Sequence, residues 1–188
     1  MMLKYMPSLI IGLVGPAGCG KGTVADILQK EHGAGYVRFS AILSTILEAL
    51  ALDKSRDEFV RLSEVLRKEF GEDILSHAVV RQTLLSDKEI VVVDGIRRLE
   101  DIMAFEPLPQ FVLIGVDAPA EIRFERMKKR GEKATESDMT WEQFQREEQA
   151  PTETTIPAVM KRATITLDNS GTQEELVKKI EAFLQTLK

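Results

Sequence analysis

Residues 15–23 read Gly15-Pro16-Ala17-Gly18-Cys19-Gly20-Lys21-Gly22-Thr23, four glycines set around one lysine. Directly before them, Leu9–Val14 is a continuous apolar run, the pattern of a strand buried on both faces of a parallel sheet. Directly after them, Val24, Ile27 and Leu28 fall at helical spacing within Lys21–Glu31, and Gly33 and Gly35 close the segment. Strand, glycine-rich turn and helix, in that order, form the setting in which such a turn grips phosphate.

The chemistry explains the composition. Phosphate oxygens need backbone N–H donors at close range, and a loop without Cβ atoms at Gly15, Gly18, Gly20 and Gly22 supplies them. The helix N-terminus adds partial positive charge. Lys21 acts as a mobile point charge between β- and γ-phosphates, and the Thr23 hydroxyl meets a phosphate or the metal shell. Pro16, Ala17 and Cys19 complete the nucleotide-binding loop, with Cys19 read as a small loop residue. The expected cofactors are ATP and Mg2+.

Further apolar runs at Tyr36–Phe39, Ile90–Val93, Phe111–Val116 and Thr164–Leu167 predict four more strands. Ser40–Leu85 is helical in period, Ala120–Arg130 is a basic helix, Gly131–Thr140 is loop-like, and Trp141–Gln149 is helical again before Pro151. Thr172 and Glu175 form a capping-box pattern at the start of a last helix carrying Leu176, Ile180, Phe183 and Leu184. Strands alternating with helices predict an α/β three-layer sandwich on a parallel sheet of about five strands. The expected division is one domain: a core of 8–39, 88–130 and 160–188, a helical insertion at 40–87, and a lid region at 131–150.

The chain has 188 residues, 44% hydrophobic and 29% charged, which suits one soluble globule. A net charge of −5 gives no global positive field for a nucleic acid. One cysteine allows no intrachain disulfide, and the longest early apolar run is far short of a membrane span, so a cytoplasmic protein with no membrane or nucleic-acid partner is expected. Arg123, Arg126 and Arg130 lie three and four residues apart and share one helix face. They either converge on an anion or form a solvated face paired with Glu121, Glu125 or Glu132.

The Gly-Lys-Gly-Thr ending at 20–23 resembles adenylate kinase and the nucleoside monophosphate kinases, and the chain as a whole resembles the P-loop nucleotide and metabolite kinases, in particular an adenylate-kinase-like group often labelled with dephospho-CoA kinases. The resemblance implies a P-loop NTPase fold whose insertion binds the acceptor and whose short lid carries arginines. It gives Lys21, Arg126, Arg130 and Asp94 catalytic roles. Asp94, opening Asp94-Gly95-Ile96-Arg97-Arg98 after a strand, and Thr23 would hold magnesium, through water in the case of Asp94. Ser40, Arg67 and Arg97 would meet the acceptor, and Asn169 the adenine. The alternatives on residue grounds are a turn-capping Asp94, surface ion pairs for Arg98 and Arg67, and core packing for Trp141 and the phenylalanines.

The activity so implied is transfer of the γ-phosphoryl group of ATP to a nucleoside monophosphate or related nucleotide-like small molecule. Alternatives are a dephospho-CoA-type metabolite kinase and, from another class, an ATP-hydrolysing switch acting on a protein partner.

Overall fold

The computed structural model describes residues 6–130 and 138–187. Five strands, β1 (Leu9–Val14), β2 (Gly35–Arg38), β3 (Ile90–Asp94), β4 (Phe111–Asp117) and β5 (Ile165–Asp168), form one sheet in the order β2-β3-β1-β4-β5. Every neighbouring pair is parallel. The helices are α1 (Lys21–His32), α2 (Phe39–Ala49), α3 (Arg56–Phe70), α4 (Ile74–Leu84), α5 (Glu100–Met103), α6 (Ala120–Arg130), α7 (Trp141–Glu148), α8 (Pro151–Thr154), α9 (Ile156–Met160) and α10 (Gln173–Thr186).

Strand alternation builds the two cores. Ile11 and Leu13 of β1 join Val92, Ile114 and Val116 on one face, under Val24 and Leu28 of α1 and Ile180 and Phe183 of α10. Ile10 and Val14 join Val91, Val93 and Leu113 on the other, under Leu43, Leu75, Val79 and Val159. The expected three layers are therefore present. The central strands carry near-continuous apolar runs because both of their faces are covered.

The 40–87 stretch resolves into α2, α3 and α4. Ser55 caps α3 by accepting the Glu58 N–H, and Thr172 with Glu175 forms the expected capping box on α10. The second strand ends one residue earlier than its pattern suggests, because Phe39 turns into α2 and is buried there. Three short helices, α5, α8 and α9, were not anticipated; at four or five residues they are too short to show a period. No helix among the described residues is long and apolar enough to cross a membrane.

β1 has β3 on one side and β4 on the other, and the chain after β1 runs out to the edge strand β2. The carboxyl end of β1 thus opens on the crevice where an open α/β sheet binds ligands, and residues 15–20 fill that position.

Candidate functional site

The loop's backbone geometry accounts for its glycines. Gly18 and Gly20 have φ of 76° and 101°, a region that L side chains rarely enter. A Cβ at Gly18 would stand 2.6 Å from the carbonyl oxygen of Arg123, and one at Gly20 would stand 2.1 Å from Asn169 Nδ2. Gly20 is the N-cap of α1, so no side chain caps that helix, and its first turn holds no acidic residue. The helices α3, α7 and α10 are all capped by a side chain. The open N–H groups of α1 therefore face the loop with no carboxylate to satisfy them, an arrangement suited to an anion.

Two cations border this cradle. Lys21 Nζ lies 2.6 Å from the Gly15 carbonyl oxygen, 3.0 Å from that of Pro16 and 3.7 Å from Cys19 Sγ, so it is held on loop carbonyls with no carboxylate partner among the described residues. Arg126 reaches the loop from α6: a Cβ at Gly20 would lie 4.0 Å from its Nη1. That Nη1 is buried and has no hydrogen-bond partner among the described residues. A buried donor left unpaired costs about 1–3 kcal/mol, so its position calls for an acceptor oxygen that the described residues do not provide.

The loop is braced from beneath. Asn169, expected at the adenine, is buried and donates through Nδ2 to the Cys19 carbonyl oxygen at 2.8 Å, while its backbone N–H donates to Asp117. It is a strut for the loop, a role decided by its tertiary placement after β5. Replacing Asn169 with Ala is expected to cost about 1–2 kcal/mol and to weaken nucleotide binding, measurable by denaturant unfolding and titration with a fluorescent ATP analogue. Cys19 is fully buried, and burial pushes its thiol up against the pull of Lys21, which leaves it protonated and unreactive.

Arg123 does not join Arg126. Its guanidinium is buried, donating to the carbonyl oxygens of Ala118 at 3.0 Å and Ala17 at 3.3 Å, and pairing with Glu148 of α7 at 2.6 Å. It also lies over the Phe144 ring, 5.3 Å from the centroid. Shared helix face was the right inference, but α7 packs on that face and takes Arg123 for structure. Arg130 ends α6 with an exposed side chain.

Trp141, Phe144 and Phe124 form an aromatic cluster with centroids 5.3–5.6 Å apart, packed with Met127, Met139 and Ala17. The α7 segment is thereby moored on the phosphate loop through Ala17. The tip expected at Gly131–Asp138 lies outside the described residues except for Asp138.

On the other side of β1, the end of β3 presents Asp94. Oδ2 accepts the Tyr36 hydroxyl at 2.7 Å and lies 3.7 Å from Arg38 Nε, and Oδ1 accepts the Gly95 N–H at 2.8 Å. Burial, with the adjacent Asp94 charge, pushes Tyr36 up, so it remains a hydrogen donor across the physiological range. Tyr36 and Arg38 were missed by sequence reasoning; their relation to Asp94 depends on the β2–β3 register, in which Arg38 stands opposite Asp94. Ser40 is exposed in the first turn of α2, beside this group in the chain. Arg97 pairs with Glu153 of α8, and Arg98 with Glu72 at 3.7 Å.

Arg67, expected either to meet the acceptor or to lie on the surface, is not on the surface. It is buried, pairs with Asp101 at 2.6 Å, and donates to the Glu72 carbonyl oxygen and to Ser63 Oγ at 3.4 Å.

The donor set fits a nucleoside triphosphate: an uncapped helix start, a cradle without Cβ atoms, Lys21 and the orphaned Arg126 Nη1. For magnesium the residues in place are Asp94, whose carboxylate has accepting capacity left, and the half-buried Thr23 in the first turn of α1. Position 22 is open: a Cβ there would meet nothing within 4 Å, so a small side chain is sterically allowed. Gly22→Ser is expected to fold normally, with stability within about 0.5 kcal/mol of wild type, as read by thermal unfolding.

Over residues 11–151 the chain matches the family model described as an AAA domain. A UPF0200 protein of Thermococcus gammatolerans is 27% identical over 184 residues, covering 95% of each chain. Among solved structures, the fold is similar to that of TT1252 from Thermus thermophilus, with a TM-score of 0.62 and 21% identity over 98% of this chain and 100% of the other. It is also similar to that of a gluconokinase from Sinorhizobium meliloti 1021, with a TM-score of 0.58 and 15% identity over 97% of this chain and 95% of the other. At these identities the two structures speak for the fold alone.

Proposed function

The chain belongs to the AAA domain family, and from that premise we propose that it is an ATP-dependent kinase acting on a small molecule. The observation that carries the reading is the buried, unpartnered Arg126 Nη1 poised over Gly20, together with Lys21. Loop amides and the α1 N-terminus bind the triphosphate, and Lys21 moves from the Gly15 and Pro16 carbonyls onto the phosphates. Arg126 supplies a guanidinium to charge that spreads over the transferring group. Magnesium, when bound, neutralises phosphate charge, with Asp94 and Thr23 as the residues that would hold it. Catalysis on this reading is alignment plus fixed positive charge, with no covalent enzyme intermediate.

The acceptor lies beyond β3, in the space bordered by Tyr36, Arg38, Ser40 and the Asp94–Arg98 segment. Following the resemblance of the phosphate loop, we assign it to the nucleoside monophosphates or related nucleotide-like molecules, with a dephospho-CoA-type metabolite as the second acceptor. The likeness to a gluconokinase supports transfer to a small molecule in general. The test is ADP release in the presence of magnesium and ATP, screened over nucleoside monophosphates, dephospho-CoA and sugar acids. Acceptor-stimulated turnover supports the proposal, and its class names the substrate. Hydrolysis that no acceptor stimulates points instead to a nucleotide switch.

A further inference from the structure

The Asp94–Arg98 segment follows the strand end by a glycine with φ of 95° and has no regular structure until α5. A segment of this kind is held only by what its amides and side chains bond to. One end is fixed by Asp94, through the Gly95 N–H and the Tyr36 hydroxyl. The other end is fixed by Asp101, whose Oδ2 accepts the backbone N–H of Arg97 at 2.9 Å and of Arg98 at 3.0 Å. Asp101 is 2% exposed, and a carboxylate so buried is tolerated only when its charge is met. Arg67 meets it, with Nη2 at 2.6 Å from Oδ1, and the rest of that guanidinium holds the Glu72 carbonyl in the α3–α4 turn.

We propose that Arg67 and Asp101 are positioning residues that lock the helical insertion to the Asp94–Arg98 segment, so that the acceptor side of the site is preassembled while the donor side is left untouched by them. The functional half of this inference rests on the kinase reading; the mechanical half does not. The pair connects α3 to the backbone of Arg97 and Arg98, whose side chains reach Glu153 and Glu72. Among the described residues, no hydrogen bond or ion pair joins it to the phosphate loop. A merely structural ion pair would lower global stability and affect both substrates alike. A positioning pair raises the acceptor KM selectively.

The experiment uses the full chain as wild type, Asp101→Asn and Arg67→Lys. Asn keeps an oxygen for the Arg97 and Arg98 amides but loses the charge that Arg67 meets; Lys keeps the charge but loses the fork that also holds Glu72. The first readout, independent of any activity, is hydrogen exchange of the 95–101 amides: roughly tenfold faster exchange is expected in Asp101→Asn, the scale of one weakened charged hydrogen bond, with the amides of α1 unchanged. The second is kinetic, with the acceptor found by the screen: acceptor KM roughly tenfold higher in Asp101→Asn and less raised in Arg67→Lys, with ATP-analogue affinity within about twofold of wild type. Unchanged exchange at 95–101 overturns the lock. Faster exchange with unchanged acceptor KM, or an equal loss of ATP-analogue affinity, overturns the positioning role. If the screen yields no acceptor, the kinase reading fails and takes the acceptor role with it, while the exchange result still decides the lock.

Discussion

Replacing Lys21 with Ala is expected to lower phosphoryl transfer by roughly two to three orders of magnitude, the usual cost of removing one preorganised charge donor from a transition state, while the protein stays folded. The two outcomes separate because of where Lys21 rests. Its ammonium is held by the Gly15 and Pro16 carbonyl oxygens, at 2.6 and 3.0 Å, on a part-buried loop. Without the side chain those carbonyls turn to water. Of the core residues, Cys19 loses the ammonium 3.7 Å from its Sγ, while the packing of α1 is made by Val24, Ala25, Ile27 and Leu28 and stays intact. The change in unfolding free energy should stay near ~1 kcal/mol. ADP release at saturating acceptor, beside denaturant unfolding of the same preparation, reads both quantities. Near-normal turnover in this variant would remove Lys21 from the mechanism.

The second large effect carries opposite signs for stability and activity. Arg126→Met replaces a buried donor that has no partner with an unbranched apolar side chain able to fill the same space. An unsatisfied buried group costs about 1–3 kcal/mol, so the nucleotide-free variant is expected to be as stable as wild type or more so, by roughly 1 kcal/mol. Transfer should fall by roughly two to three orders of magnitude, because a guanidinium over the transferring group is lost. A nucleotide-dependent shift in unfolding temperature gives a third check: ATP should stabilise wild type more than the variant, since only wild type acquires the missing acceptor on binding. An Arg126→Met protein that melts earlier than wild type without nucleotide would show that the guanidinium is already satisfied within the fold.

The donor half of the site was legible in the sequence because it is local. Residues 15–23 are contiguous, their roles follow from the absence of Cβ atoms and from one lysine, and the flanking strand and helix are marked by their own periodicity. The proposed acceptor half was legible only in outline. That α2, α3 and α4 form an insertion was readable, whereas which arginine is buried was not, because a helix of mixed polarity offers several faces and the partner decides. Arg67 is buried since Asp101, thirty-four positions away, needs a counter-charge. Asn169, expected at the adenine, holds the Cys19 carbonyl, a bond across 150 positions that no local pattern shows. Among the three arginines of α6, a shared face hid unequal fates: Arg123 lies over Phe144 and pairs with Glu148, and Arg126 is left facing the loop.

Backbone-dictated features were therefore set by the sequence alone: the order of strands and helices, the sheet buried on both faces, the phosphate loop and its lysine, and the cap of the last helix. Each depends on residues within a few positions of one another, where sterics and hydrophobic period act directly. The tertiary structure decided which charges are spent. Tyr36 on Asp94, Arg67 on Asp101 and Arg123 on the Ala17 carbonyl are pairings between elements far apart in sequence, and Arg126 Nη1 meets no partner among the described residues. A buried charge takes whatever partner packing brings within reach, and that partner is set by register and helix placement, which no local pattern encodes.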